Sequence, residues 1–251
     1  MGKKTNRKFA IGDNVTSMDQ ARQHCKKTFK PTDLIDFKRY PLTDPQKQFI
    51  EAYEDNVPLI VQAGSAGSGK TACAIFCALS EVFEGGSPYD HVKIVRSCSQ
   101  TREIGHTPGT AEEKLDVYST AYRQICDELL CYNSNNYDNL QSLGYLSFES
   151  TSFLRGQTWD NTVVILDEFQ NCTFHELLSV ISRLGNYSKI ILCGDHNQTD
   201  LWKKNDQSGF HQLMKVLDRM DEDDSEVVYY TTDHIVRSGV VKSFLEAVYS
   251  E

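Results

Sequence analysis

Six short apolar runs punctuate the chain, at 57–63, 91–96, 144–148, 162–166, 188–193 and 227–230. In 162–166 and 188–193 the apolar residues do not alternate with polar ones, the mark of strands buried on both faces. Between the runs, apolar residues recur at helical spacing. They do so at 45–53, where Phe49, Ile50 and Tyr53 share a face, at 72–82, and at 115–131 through Leu115, Tyr118, Tyr122, Ile125 and Leu129. Further helices are predicted at 173–184, 208–217 and 240–248. Thr43 or Asp44 can cap the first helix, and Pro45 suits its first turn. Gly85-Gly86-Ser87-Pro88 breaks the chain. Residues 97–112, 132–139 and 152–158 read as loops, the second because it is polar and Asn-rich, and the acidic run 218–226 reads as a solvated loop. Strands alternating with helices predict an α/β domain with a mostly parallel sheet and helices on both faces. Residues 1–40 show weak periodicity and are expected to form an arm, with residues 41–251 as a single core domain.

The stretch joining the first strand to its helix carries the most specific chemistry. Gly64-Ser65-Ala66-Gly67-Ser68-Gly69-Lys70-Thr71 fits G-x-x-x-x-G-K-[ST] at every position, in a strand–loop–helix setting. Its glycines let the backbone turn tightly and approach a polyphosphate with N–H groups inward. The following helix dipole faces the same anion. Lys70 supplies a point charge for the β- and γ-phosphates, and the Thr71 hydroxyl can bind Mg²⁺.

Two more strand ends add to this. The run 162–166 ends in Asp167-Glu168, where ligands bind in open parallel sheets. One carboxylate can hold Mg²⁺, and the other can orient and deprotonate an attacking water. The run 188–193 leads into Gly194-Asp195-His196-Asn197-Gln198, which could deliver Asp195 and Gln198 to the γ-phosphate. Gln46 falls at the start of the first helix, and a carboxamide can offer donor and acceptor together to an adenine edge.

Composition narrows the class. The 251 residues suffice for one α/β domain with additions, and 39% hydrophobic content is ordinary for a globular chain. No apolar run approaches the roughly 18 residues of a membrane span, and the N-terminus lacks a secretion signal's apolar core. The net charge of −9 announces no global basic field, yet residues 1–30 hold eight Lys and Arg against two Asp. Such an arm can neutralise phosphates, or simply be solvated. Eight scattered cysteines include no C-x-x-C pair, so reduced thiols and a cytoplasmic location are expected. Cys73 and Cys77, four apart, read as small core residues.

Taken together, Pro45-Gln46-Lys47, the phosphate loop, Arg155-Gly156-Gln157-Thr158, 164–171 with Asp167-Glu168-Phe169-Gln170-Asn171, Arg183-Leu184-Gly185, 194–198 and Ile235-Val236-Arg237-Ser238 resemble the PhoH-like ATPases. The chain resembles a short form similar to those encoded by bacteriophages, and a phage origin would put the protein in a bacterial host cytoplasm. The resemblance covers about 41–249, and the family is similar to the first ATPase lobe of superfamily 1 helicases. It implies a RecA-like P-loop NTPase fold, with the Asp195 strand inserted between the strands ending at Gly64 and Asp167. It also implies ATP and Mg²⁺ as cofactors. Gln46 would lie near adenine, Gly64 to Thr71 on the phosphates and Thr71 and Asp167 at Mg²⁺. Lys70 and Glu168 would be catalytic, and Asp195 and Gln198 would couple hydrolysis to movement. Arg96, Arg155 and Thr158 are the candidate contacts to single-stranded nucleic acid, RNA ahead of DNA. A homo-oligomer, most simply a hexameric ring, would let Arg237, or failing that Arg183, reach a neighbour's γ-phosphate. Three positions depart from the family pattern: Ser97 follows Arg96 in place of proline, Phe169 replaces alanine, and Ser238 follows Arg237 in place of histidine. The alternatives are a nucleotide-gated binding module with negligible turnover, and a small-molecule kinase. Against the kinase, no Arg-rich lid segment follows the core.

Overall fold

Six parallel strands form one sheet: β1 (Leu59–Gly64), β2 (His91–Arg96), β3 (Leu146–Ser150), β4 (Thr162–Asp167), β5 (Lys189–Gly194) and β6 (Ser225–Tyr230). The structure is a computed structural model and describes residues 29–36, 40–97, 111–130, 135–154, 156–195 and 209–249. The strand order is β3-β2-β4-β5-β1-β6. β5 pairs with β1 on one side and with β4 on the other, so the expected insertion holds. Because all strands run the same way, the ends of β1, β4 and β5 open on one edge of the sheet, and Gly64, Asp167 and Asp195 meet there.

Side chains alternate across the sheet and build two cores. Ile60, Val163, Ile165, Ile191 and Cys193 face one side, where helices α1 (Asp44–Glu54), α2 (Lys70–Phe83), α3 (Ala111–Leu129) and α4 (Asn136–Ser142) lie. Leu59, Val61, Val164, Leu166, Ile190 and Leu192 face the other, under α5 (Phe174–Ile181) and α6 (Phe210–Leu217). A last helix, α7 (Gly239–Tyr249), follows β6. Every residue of β1, β4 and β5 is buried, which is why their sequences read as largely apolar runs, interrupted within β1 by Gln62. Cys73 and Cys77 are core residues, as their helical spacing implied. None of the described helices is long and apolar enough to cross a membrane.

At the far edge of the sheet, the start of β5 is tied to the first two helices. The Lys189 ammonium is buried and reaches Asn56 Oδ1 at 3.1 Å and Glu81 Oε2 at 3.3 Å. It lies 4.0 Å from the Tyr53 ring centroid and 4.8 Å from that of Tyr89. Burial pulls its pKa below the ordinary lysine value, while Glu81 works the other way.

Three sequence expectations are corrected. The arm boundary at residue 40 is too late. Phe29 and Leu34 are core residues, Leu34 bridges Leu130, and the Ile35 N–H donates to the Leu129 carbonyl at 2.8 Å. This segment therefore packs as part of the domain. The Asn-rich loop at 132–139 is helical from Asn136 onward. Asn135 adopts a left-handed conformation before the helix, and Tyr137 and Leu140 are buried one turn apart. Two deep apolar anchors outweigh a polar composition. The loop at 97–112 is likewise shortened, because α3 starts at Ala111.

If residues 29–35 belong to the core, Leu34→Ala should lower stability by about 2–5 kcal/mol. Urea unfolding followed by circular dichroism reads this directly, and an unchanged midpoint would return the segment to the arm.

Candidate nucleotide site

The site begins where β1 stops. The Ser65 N–H donates to the Tyr230 carbonyl at 3.0 Å, holding the loop against β6. Gly64 has φ 133°, and a Cβ there would collide with that same carbonyl, so only glycine fits. The loop then turns through positive φ at Gly67 and Gly69 into α2. Below it, Gln62 accepts a hydrogen bond from the Tyr230 hydroxyl at 2.7 Å and donates to the Lys70 carbonyl at 3.3 Å. A polar residue inside β1 thus joins β6 to the first turn of α2.

Lys70 is only 8% exposed. Its ammonium donates to the Gly64 and Ser65 carbonyls, both at 2.8 Å, and to Ser68 Oγ at 3.2 Å. Burial pulls its pKa down, while Cys193, Asp195, Asp167 and Glu168 pull it up. The loop folds on its own cation, and phosphate oxygens offer acceptors of the same kind. An ammonium, loop N–H groups and the N-terminus of a 14-residue helix together fit a polyphosphate.

The carboxylates are bound to this loop by hydrogen bonds. Thr71 Oγ1 donates to Asp167 Oδ1 at 2.9 Å, and the Tyr122 hydroxyl donates to Asp167 Oδ2 at 2.8 Å. Asp195 Oδ2 accepts from the Ala66 N–H at 3.0 Å. The Asp195 N–H donates to Gln170 Oε1 at 3.1 Å, and Gln170 Nε2 donates to Glu168 Oε2 at 2.6 Å. Glu168 thus hangs on a relay that runs back to the phosphate loop. Its backbone is left-handed, φ 54°, a conformation uncommon outside glycine and enriched at functional sites. Burial, then the charge of Asp167, raises its pKa above the usual carboxylate value. Among the described residues no group of three His, Cys, Asp or Glu could cage a metal. Mg²⁺ beside a nucleotide needs no such cage, because one carboxylate, phosphate oxygens and waters suffice.

The other sequence candidates divide. Gln46 is buried against the loop, with Nε2 donating to the Ser68 carbonyl and Oε1 accepting the Thr43 N–H, both at 2.9 Å. Its carboxamide clamps the start of α1 to the phosphate loop. Arg237 lies on the loop of its own chain: the Val236 N–H donates to the Gly67 carbonyl at 3.0 Å, and the Arg237 stem abuts Gly67. Arg183 donates to the Leu154 and Gln157 carbonyls at 2.8 and 3.2 Å, holding the segment before β4. Arg96 turns inward, its guanidinium 5.3 Å from the Tyr118 ring centroid and within electrostatic reach of Tyr122 and Asp167. Thr158 is exposed beside Trp159, which pairs with Leu184 before β5 begins. It therefore lies toward the opposite edge of the sheet from Arg96, and the structure does not bring the two together. Gln198 and Arg155 lie outside the described residues.

Sequence reasoning missed the parts played by Tyr122 and Gln170. Tyr122 was legible only as one apolar position on a helix. Gln170 stood within a motif without a task.

A family profile described as PhoH-like protein matches residues 39–249. The chain is 31% identical to a PhoH-like protein of Bacillus subtilis over 208 residues, covering 80% of this chain and 61% of the relative. It is 29% identical to Protein PhoH of Escherichia coli over 206 residues, covering 81% and 56%. With a PhoH-like protein of Mycobacterium bovis the identity is 28% over 213 residues, covering 82% and 57%. The chain thus spans less than two thirds of the length of each of these relatives.

Removing the ammonium should cost this site its nucleotide. Lys70→Ala should weaken binding of a fluorescent ATP analogue by about 10- to 100-fold, the worth of charge-assisted hydrogen bonds. Parental affinity in a fluorescence titration would exclude the loop as the binding site.

Proposed function

The chain belongs to the PhoH-like protein family, and on that premise we propose that it is a P-loop ATPase that hydrolyses ATP with Mg²⁺ and couples the cycle to single-stranded nucleic acid. One observation carries the hydrolytic part. A half-buried carboxylate of raised pKa, Glu168, is held by Gln170 beside a phosphate loop whose Thr71 already donates to Asp167. A general base works best when its pKa approaches the operating pH.

In this reading Lys70 exchanges its loop carbonyls for phosphate oxygens. Thr71 and Asp167 hold the cation, which when bound neutralises charge on the phosphates. Glu168 orients the attacking water and takes its proton. Asp195, bonded to the Ala66 N–H, is placed to sense loss of the γ-phosphate through the loop, with Gln198 as its partner. Gln46 reads adenine once its bond to Ser68 is exchanged. Arg237 abuts its own chain's loop, which supports a charge supplied in cis rather than from a neighbour.

The nucleic-acid part rests on the basic residues near the N-terminus of an otherwise acidic chain, joined by Arg155. RNA is preferred to DNA. A homo-oligomer, with a hexameric ring as its simplest closed form, is supported by the apolar side chains that α7 leaves exposed, Val240 at 82% and Phe244 at 67%. Reduced, buried thiols at Cys73, Cys77, Cys126, Cys172 and Cys193 suit a cytoplasmic setting.

Glu168→Gln should keep ATP-analogue binding and slow single-turnover hydrolysis by about 10²–10⁴-fold. Parental turnover is expected to fall as pH drops through the raised Glu168 value, above the ordinary glutamate value of about 4.3, because protonation removes the base. A variant as fast as the parent would remove Glu168 from the chemistry. Negligible parental turnover with nucleotide-dependent partner binding would mark a gated binding module instead.

Single-stranded RNA should raise the ATPase rate and bind in fluorescence anisotropy with an affinity that falls as salt rises. No binding at low salt would end the nucleic-acid reading, and a monomer in mass photometry with ATP would end the ring. Mixing Lys70→Ala with Arg237→Ala subunits is expected to restore no activity, since a cis arginine leaves every site defective. Regained activity would assign Arg237 to the neighbour.

A further inference from the structure

We propose that Tyr122 is a positioning residue for the metal site: its hydroxyl, with Arg96 close by, fixes the Asp167 carboxylate in the orientation that serves Thr71 and the cation. This rests on the nucleotide reading above.

Tyr122 is fully buried in α3, and its ring packs at 5.3 Å against Phe148. Helical periodicity accounts for the ring but not for the hydroxyl. Phenylalanine would fill the same core space and spare a buried polar atom that costs about 1–3 kcal/mol when unpaired. The hydroxyl has a specific partner instead, Asp167 Oδ2 at 2.8 Å. With Oδ1 held by Thr71 at 2.9 Å, both carboxylate oxygens are tethered from opposite sides, and rotation of the group breaks one bond or the other.

The tether has its own support. Arg96 stands beside Asp167 in the β2–β4 register. Its guanidinium lies over the Tyr118 ring, and its charge is felt by Tyr122 and Asp167. A cation near the phenol strengthens the O–H as a donor toward Asp167. The arrangement draws on β2 and α3, which carry none of the phosphate-loop chemistry. It also gives Arg96 a task inside the site, in place of the expected nucleic-acid contact. Partners that orient a metal ligand from behind are commonly worth 10- to 100-fold in metal affinity.

Tyr122→Phe in the full chain tests this, read by a fluorescent ATP analogue rather than by turnover. In excess EDTA the variant should bind the analogue within about twofold of the parent, because Lys70 and the loop are untouched. The Mg²⁺ concentration giving half of the metal-dependent signal should rise by roughly 10- to 100-fold. A merely structural tyrosine would lower the thermal midpoint and leave the Mg²⁺ titration at 10 °C unchanged, and that result overturns the proposal. Should Tyr122→Phe not fold, Arg96→Gln removes the neighbouring cation and is read by the same titration, a shift supporting the tether and no shift overturning it. A parent that binds no analogue with or without Mg²⁺ overturns the nucleotide reading itself, whereas parental binding with an unshifted variant overturns only the role of Tyr122.

Discussion

A buried ammonium needs oxygen around it, and the site is arranged about that requirement. Lys70 sits at the first position of α2 with almost no access to water. It is stable there because the preceding loop curls back to offer two carbonyls and a hydroxyl. That curl demands Gly64 where β1 passes the Tyr230 carbonyl, and it demands the positive φ values that follow. Three carboxylates stand close enough to favour the charge. None of these partners is of use alone. Without the ammonium, the carboxylates would repel one another in a dry space, and without them the ammonium would tend to lose its proton.

The parallel sheet makes this convergence inexpensive. β1, β5 and β4 are adjacent and end together, so Gly64, Asp195 and Asp167 arrive within reach of one another with no long side chains spanning the gap. Short hydrogen bonds then join them into two chains. One runs from Ala66 through Asp195 and Gln170 to Glu168. The other runs from Thr71 through Asp167 to Tyr122. Both start in the phosphate loop and join it to Glu168 on one side and to α3 on the other. Gln170 passes so close to β5 that a Cβ at Gly194 would collide with its amide oxygen, which fixes the spacing between the two strand ends.

Arginines show how local identity and global position part company. Arg96, Arg183 and Arg237 all sit in loops or at strand ends, and all carry the same charge. Arg183 is spent on backbone carbonyls before β4, Arg96 on two tyrosines and the carboxylate region, and Arg237 on the face of the phosphate loop. Only the last two are in a position to influence a nucleotide. The difference lies in which elements the fold sets beside each residue, and sequence spacing carries no record of it.

The sequence by itself determined the alternation of strands and helices, the identity of the phosphate loop and the pair Asp167-Glu168. It could do so because these are local properties: burial on both faces leaves largely apolar runs, and a phosphate-binding loop needs glycine, lysine and threonine at fixed spacing along the backbone. It also placed the Asp195 strand correctly, through family resemblance. Tertiary structure decided the rest. It put residues 29–35 into the core, because Phe29 and Leu34 find partners in elements far along the chain. It turned 136–142 into a helix, because Tyr137 and Leu140 have somewhere to be buried. It gave Tyr122, Gln170 and Gln46 their tasks, since a hydroxyl or amide on an apolar face looks the same in the sequence whatever it meets. A hydrogen bond is a property of two groups and the distance between them, and for groups 45 or 22 residues apart only the folded chain sets that distance.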